Sequence, residues 1–421
     1  MKKLLISISL LAALCSCHHD DDPEDNRARR TVFVYMAAEN NLARFADDDL
    51  SEMQTGSLKL TDDDNLVVYV DRAGSTTTPY LARVYKGELI DTLFMPEGLA
   101  ADPTVFTRAL RQAKTVYPAK SYGVVLWGHA SGWLISENDS ISVAASRAYG
   151  GSTGNNTSSG TGKYWMNIPQ LAQAIQSAMG TDKLSFVFGD CCSFGCIEIA
   201  YELKDVADYV IGSPSEIPDM GAPYDLIVPK LFDVSDNLCR GIIDTYYNFC
   251  IEAYKIKSNI YYNRIPGDLE GYSVPLAAVK TSELDNLVQA TSKILATIPD
   301  KVSSIGSLDL DGTVHYAQYA SHKYSYDMNS VLSVNTSASD YQTWTSAFKK
   351  AVPYKRYSAK WMTEYNQLAN EMNYFPVSDE NCGCVSMFFP SVSYASTSPK
   401  WNKAIQKYQW NNVIHWEQYG W

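Results

Sequence analysis

Two short segments of this chain end at side chains able to carry nucleophilic chemistry. Tyr122-Gly123-Val124-Val125-Leu126-Trp127-Gly128 leads into His129, and Leu184-Ser185-Phe186-Val187-Phe188-Gly189-Asp190 leads into Cys191-Cys192. Each is an apolar, β-branched and aromatic run, the pattern of a strand buried on both faces. In an open parallel sheet, ligands bind beyond the carboxyl ends of the strands. Neighbouring strands of this kind would deliver His129 and Cys192 to one rim, as thiol hydrolysis requires. Cys192 is also expected between a strand end and a helix start over Ser193–Val206. Unpaired N–H groups and the helix dipole would there lower its pKa. Spacing alone leaves open which of Cys191, Cys192 and Cys196 reacts. Small residues flank the histidine in Gly128-His129-Ala130-Ser131-Gly132 and allow backbone to approach a ligand closely. Asp190 is placed either to pair with a cationic substrate or to cap the following helix.

The elements that position these residues read as a strand–helix alternation. Strands are expected over Thr31–Ala38, Leu66–Asp71, Tyr122–Gly128, Leu184–Phe188, Tyr209–Gly212 and Tyr272–Val279, with a hairpin around Lys86-Gly87. Helices are expected over Asn40–Thr55, Pro103–Tyr117, Ile168–Met179, Ser193–Val206, Cys239–Tyr254 and Ser282–Ile298. Pro103 suits a first helical turn. The pattern predicts an α/β fold, an αβα sandwich with a mostly parallel central sheet. Residues 300–421 are less regular, with Cys384–Phe389 as their one clear strand. The glycine- and serine-rich run from Gly150 to Gly162 reads as a mobile loop.

The chain has 421 residues, 46% hydrophobic and 19% charged, as in a globular protein. Its formal charge of −12 disfavours nucleic acid as a partner. Lys2 and Lys3 followed by Leu4–Leu14 form a targeting segment too short for a spanning helix. It ends in Leu14-Cys15-Ser16-Cys17, the cleavage pattern of a bacterial lipoprotein, with Cys17 as the lipidated residue. The acidic stretch that follows, to residue 29, reads as a disordered tether. The expected division is therefore 1–16 signal, 17–29 tether, 30–299 catalytic domain and 300–421 C-terminal extension or accessory subdomain. The expected location is the cell envelope, anchored by lipid to the outer membrane. Seven cysteines remain besides Cys17, an odd number that leaves at least one thiol free. None has zinc-type spacing.

Taken together, these segments resemble the clostripain family of cysteine peptidases, which shares a caspase-like fold with gingipains, legumains and caspases. The resemblance rests on Val34–Leu42, on Leu126–Trp133 around the histidine, on Asp190-Cys191-Cys192 with Glu198–Leu203, and on Ala207–Ser213 leading to Gly221–Tyr224. The family pattern is Asp-Ala-Cys with an acid six residues after the cysteine. Glu198 satisfies it, so Cys192 takes the nucleophile's place and His129 that of the catalytic histidine. Ala130 stands where the family usually has glycine, and Ser193-Phe194 replace an apolar pair.

The resemblance implies a cysteine endopeptidase that cleaves after Arg or Lys with a Cys192–His129 dyad. The backbone N–H groups of Cys192 and Ala130 would stabilise the oxyanion. Asp190 is the first candidate for the acidic specificity pocket, followed by Asp219 and Glu216. It also implies self-processing between the histidine and the cysteine, at Arg147 first or at Lys163. No cofactor is required by this chemistry. Calcium is a candidate ion, with Asp47–Asp49 and Asp62–Asp64 able to serve, although both runs read more simply as solvated faces. The competing readings are an inactive surface lipoprotein that binds a peptide or envelope protein in the same groove, and a redox protein using Cys191-Cys192. The second lacks a C-x-x-C spacing.

Overall fold

The computed structural model describes residues 27–74, 77–134, 148–160, 162–255, 273–298, 308–319, 322–363, 372–390 and 401–419. The targeting segment, Cys17 and Arg147 lie outside them. The main sheet contains nine strands: β1 Arg30–Ala38, β2 Asp64–Arg72, β3 Tyr80–Tyr85, β4 Glu88–Phe94, β5 Tyr122–Trp127, β6 Leu184–Asp190, β7 Ala207–Gly212, β8 Leu276–Lys280 and β9 Tyr354–Arg356. Their order is β9-β8-β7-β6-β5-β1-β2-β3-β4. The inner strands β7, β6, β5, β1 and β2 run parallel, and antiparallel strands close both edges. The fold is α/β, as the strand–helix alternation predicts.

Alternation along each strand feeds two cores. Phe33, Tyr35 and Ala37 of β1 face helices α2 (Pro103–Val116), α3 (Ile168–Met179), α4 (Ile197–Glu202) and α7 (Leu284–Leu295). Val32, Val34 and Met36 face α1 (Ala43–Ser57), α5 (Tyr224–Leu231) and α6 (Leu238–Lys255). Burying each of the larger apolar side chains, such as Phe33, Val32, Val34 and Met36, contributes about 1.5–3 kcal/mol. That is why the central strands are almost wholly apolar. Local signals start and stop the elements. Asp102 caps α2 by accepting from the Thr104 N–H at 2.7 Å, with Pro103 at the first turn. Asn167 and Gln170 form a capping box on α3. Lys86 and Gly87 take φ of 48° and 87°, the left-handed pair of a tight hairpin turn.

Three expectations change. The helix expected over Ser193–Val206 is only Ile197–Glu202. Ser193 N–H donates to Ser215 O at 2.8 Å and Gly195 N–H to Ser213 O at 2.7 Å, so these donors are taken by the segment after β7 and no helical turn can form. The glycine-rich run is tethered where it was expected to be mobile. Glu39 accepts from Thr153 Oγ1 at 2.9 Å and from Asn156 N–H at 2.8 Å, and Asn41 N–H donates to Gly160 O at 2.9 Å. The C-terminal part is irregular, as expected, around a few regular elements, and its one expected strand is shorter. Helices span Met328–Asn335 and Ala338–Ala351, and Tyr354–Arg356 joins the main sheet as β9. Of Cys384–Phe389 only Ser386–Met387 is a strand, paired with His322–Asp327.

Candidate active site

Strands β5 and β6 are parallel neighbours in a register that sets Trp127 beside Asp190. His129 and Cys192 each lie two residues beyond that pair. Gly128 bridges the two strand ends, its N–H pointing to Asp190 O at 3.4 Å. Its φ of 142° and a Cβ position 3.1 Å from Ala37 O leave room only for glycine. His129 then pairs with Gly150 in a short antiparallel ladder. Its Nε2–H donates to Asn41 Oδ1 at 2.7 Å, which selects the tautomer with a lone pair on Nδ1. Asn41 is itself held at the end of β1 by the bond from its N–H to Gly160.

Cys192 occupies a turn that Ser193 completes with φ 56°. Its Sγ receives the Ile217 N–H at 3.5 Å. His129 and Cys192 both line a cavity of about 330 Å³. Ala130, Asp190, Glu216 and Asp219 line it too, with Asn41, Arg44, Trp165 and Tyr324 at its walls. Ala130 is not among the residues with positive φ, so replacing the family's glycine costs no backbone strain. Burial, and secondarily Glu216, push the Cys192 thiol up to about 12. The expected lowering by a helix N-terminus is absent, because the loop 193–196 separates the sulfur from α4.

Asp190 in the cavity wall neighbours a second buried carboxyl, Asp49. Asp190 accepts from Ala222 N–H at 3.0 Å and from Tyr224 OH at 2.8 Å. Burial raises its pKa to about 6, only partly offset by those bonds. Asp49 accepts from Trp127 Nε1, and burial followed by Asp190 raises it well above the carboxylate range. The expectation of a solvated Asp47–Asp49 face fails at Asp49, which is 2% exposed and turned toward Trp127. It fails again at Asp64, which is buried and held bidentately by Arg29 at 2.8 Å. Asp47 pairs with Arg72 and Asp62 with Lys86, so the two runs are divided among different partners. Among the described residues no grouping of three His, Cys, Asp or Glu could hold a metal ion.

The sequence-derived candidates His129, Ala130, Asp190, Cys192, Glu216 and Asp219 therefore meet at one cavity. Lys163 does not. It lies on a hairpin, its N–H donating to Ser152 O at 2.8 Å. His315 is buried against Ala317 O and His415 pairs with Glu417, as expected of structural histidines. Sequence reasoning missed Asn41, and it read Asp49 only as part of a calcium-candidate or solvated run. Asn41 follows the first strand in a Glu-Asn-Asn run, and Asp49 sits within an apolar helical stripe with Phe45 and Met53. Both signals are visible once β1 is known to be central.

A family model described as the clostripain family matches residues 34–421. No curated protein matches the chain. Among solved structures, a secreted C11 cysteine protease from Bacteroides thetaiotaomicron bound to an irreversible peptide inhibitor is 28% identical, with a TM-score of 0.72 over 92% of this chain and 99% of its own. An inactive zymogen C11 protease from Parabacteroides distasonis, 23% identical with a TM-score of 0.68, covers 92% and 98% and shares the fold. With the family match spanning nearly all of the sequence and the sheet, helices and cavity described above, this chain belongs to the clostripain family of cysteine proteases.

Proposed function

We propose that the chain is an endopeptidase that cleaves after arginine or lysine, with Cys192 as nucleophile and His129 as its proton carrier. The observation that carries this reading is the cavity that His129, Cys192 and Asp190 line together. A thiol raised to about 12 rests in its neutral form. Its proton passes to Nδ1 of His129 as sulfur attacks the scissile carbonyl. The C–S bond forms and the carbonyl oxygen becomes an oxyanion, which the Cys192 and Ala130 N–H groups receive. One such donor contributes on the order of 10²–10³ in rate. The imidazolium gives its proton to the departing amine as the C–N bond breaks. Water, deprotonated by the same ring, then hydrolyses the thioester and restores the thiol.

Asp190, charged above a pKa of about 6, supplies the anion for a basic substrate side chain, with Asp219 and Glu216 lining the same cavity. Maturation is by self-cleavage at Arg147, ahead of Lys163, whose backbone is tied into a hairpin. The chain reaches the cell envelope through its amino-terminal signal and is anchored by lipid at Cys17. No helix of the described residues is long and apolar enough to cross a membrane. Fluorogenic arginyl and lysyl peptides, tested on wild type and Cys192→Ala, check the reaction. Cleavage by wild type alone is expected, and equal cleavage by both would overturn the assignment. Intact-mass measurement of an active preparation checks processing, and an uncut active chain would refute it.

A further inference from the structure

The acid that follows the cysteine by six residues has no part in the chemistry above, yet its surroundings are specific. Glu198 lies in the first turn of α4 and is fully buried. Its Oε1 accepts from the backbone N–H of Phe388 at 2.8 Å, and the Cys196 thiol lies against the same carboxyl. Two residues before Phe388, the Ser386 N–H donates to Gly195 O at 3.0 Å. The strap Val385–Phe389 is thereby fastened to the loop that carries Cys192.

The other side of the strap touches the histidine loop. The Phe388 ring meets Trp133 edge-on, centroids 5.0 Å apart at 82°. Trp133 ends the short run that begins at His129, and Trp401 and Tyr324 pack edge-on against it as well. Tyr324 also lines the cavity. Gly132 rests against the cysteine loop, where a Cβ would stand 3.0 Å from Ser193 O. The strap is thus in contact with both loops, through the Ser386 backbone bonded to Gly195 of one and the Phe388 ring packed on Trp133 of the other, while the Phe388 N–H is held by Glu198 of α4. Glu198 is the side chain that fixes its backbone.

We propose that Glu198 is a positioning residue for the peptidase reaction. By holding Phe388 it sets where the His129 loop stands relative to Cys192. The inference rests on the reading of those two residues as the reacting pair. Displacing reacting groups by about 1 Å can cost on the order of 10²-fold in rate, so a strap that sets their separation acts on kcat before it acts on binding.

The test is kinetic, on full-length protein whose active fraction is titrated with a thiol-directed arginyl peptide. Glu198→Ala is expected to lower kcat about tenfold or more, with KM changed less than about threefold. Glu198→Gln keeps an oxygen that can accept from Phe388 and is expected to recover most of that loss. Phe388→Leu keeps the Glu198 bond and removes the ring from Trp133, and is expected to lower kcat in the same way. It carries the test if Glu198→Ala does not fold. A Glu198→Ala or Phe388→Leu enzyme that melts at lower temperature but turns over at the wild-type kcat per titrated site would overturn the proposal. Failure of the dyad itself is a separate result, read from Cys192→Ala retaining wild-type turnover.

Discussion

The imidazole of His129 donates from Nε2 to the side-chain oxygen of Asn41 at 2.7 Å. Asn41 follows the central strand β1 and is anchored through its own N–H to Gly160. The ring is therefore oriented from a third element, distinct from the strands that end at His129 and Cys192. This favours the tautomer with its lone pair on Nδ1, the nitrogen that the proposed mechanism uses for proton transfer.

Asn41→Ala is expected to lower kcat by about 10–100-fold, less than the roughly 10²–10⁴-fold that general acid–base catalysis contributes, because the ring is misoriented and not removed, with KM little changed. Asn41→Asp keeps an acceptor for Nε2–H and should retain more activity. Steady-state kinetics on an arginyl peptide decide it. A fall confined to KM would show that Asn41 binds substrate and does not orient the ring.

Asp190→Asn is expected to reduce kcat/KM for arginyl and lysyl peptides by about 10²–10³-fold, since it removes the buried charge that the proposed function pairs with the substrate cation. In the wild type, Asp190 gains a proton as pH falls through about 6. KM for basic peptides should therefore rise on acidification through that value. A flat KM from pH 5 to pH 8 would place the specificity charge elsewhere.

Arg44 sets its guanidinium 3.9 Å from Asp219 at the rim of the cavity. If Asp219 serves a basic substrate as proposed, Arg44 competes with that substrate for the carboxylate and repels it. Arg44→Ala is expected to lower KM for lysyl and arginyl peptides by about 2–5-fold at low salt, with the gain fading as salt screens exposed charges. An unchanged KM across ionic strength would remove Arg44 from substrate selection.

Burial raises Asp190 to about 6 and Asp71, Glu52 and Glu198 to about 7. A carboxyl with a folded pKa above its unfolded value binds its proton more tightly in the folded state. The resulting stability is fully present below the unfolded value of about 4 and is lost as pH rises through the folded one. The melting temperature of Cys192→Ala, which removes self-digestion, should therefore fall between about pH 5 and pH 8. Adding Glu198→Gln should flatten part of that slope. A melting temperature that climbs over this interval would contradict the assignment of these groups as buried acids.

Much of this was legible because burial on both faces leaves a strong mark. The central strands are short runs without polar interruption, so β1, β2, β5, β6 and β7 could be found, and with them the rim where His129 and Cys192 meet. Cap chemistry located α2 and α3 for the same local reasons. What could not be read depends on contacts between distant segments. The short α4 follows from Ser213 and Ser215 taking the N–H groups of Gly195 and Ser193. The tethered glycine-rich run follows from Glu39, a carboxylate more than a hundred residues away in sequence. Asp49 looks solvated within a three-aspartate run until Trp127 is known to lie beneath it. The raised Cys192 thiol had no sequence signal, because it comes from burial and then from Glu216, and the Ile217 N–H offsets it only in part.

The strap at Val385–Phe389 also bears on when the enzyme can work during its own synthesis. Phe388 emerges 190 residues after the glutamate that grips it. A nascent polypeptide already exposing thiol and imidazole has no strap to brace them, and closing so long a loop is slow compared with forming local helices. On the proposed role of Glu198, proteolytic competence is therefore expected only after Val385–Phe389 has docked, late in folding.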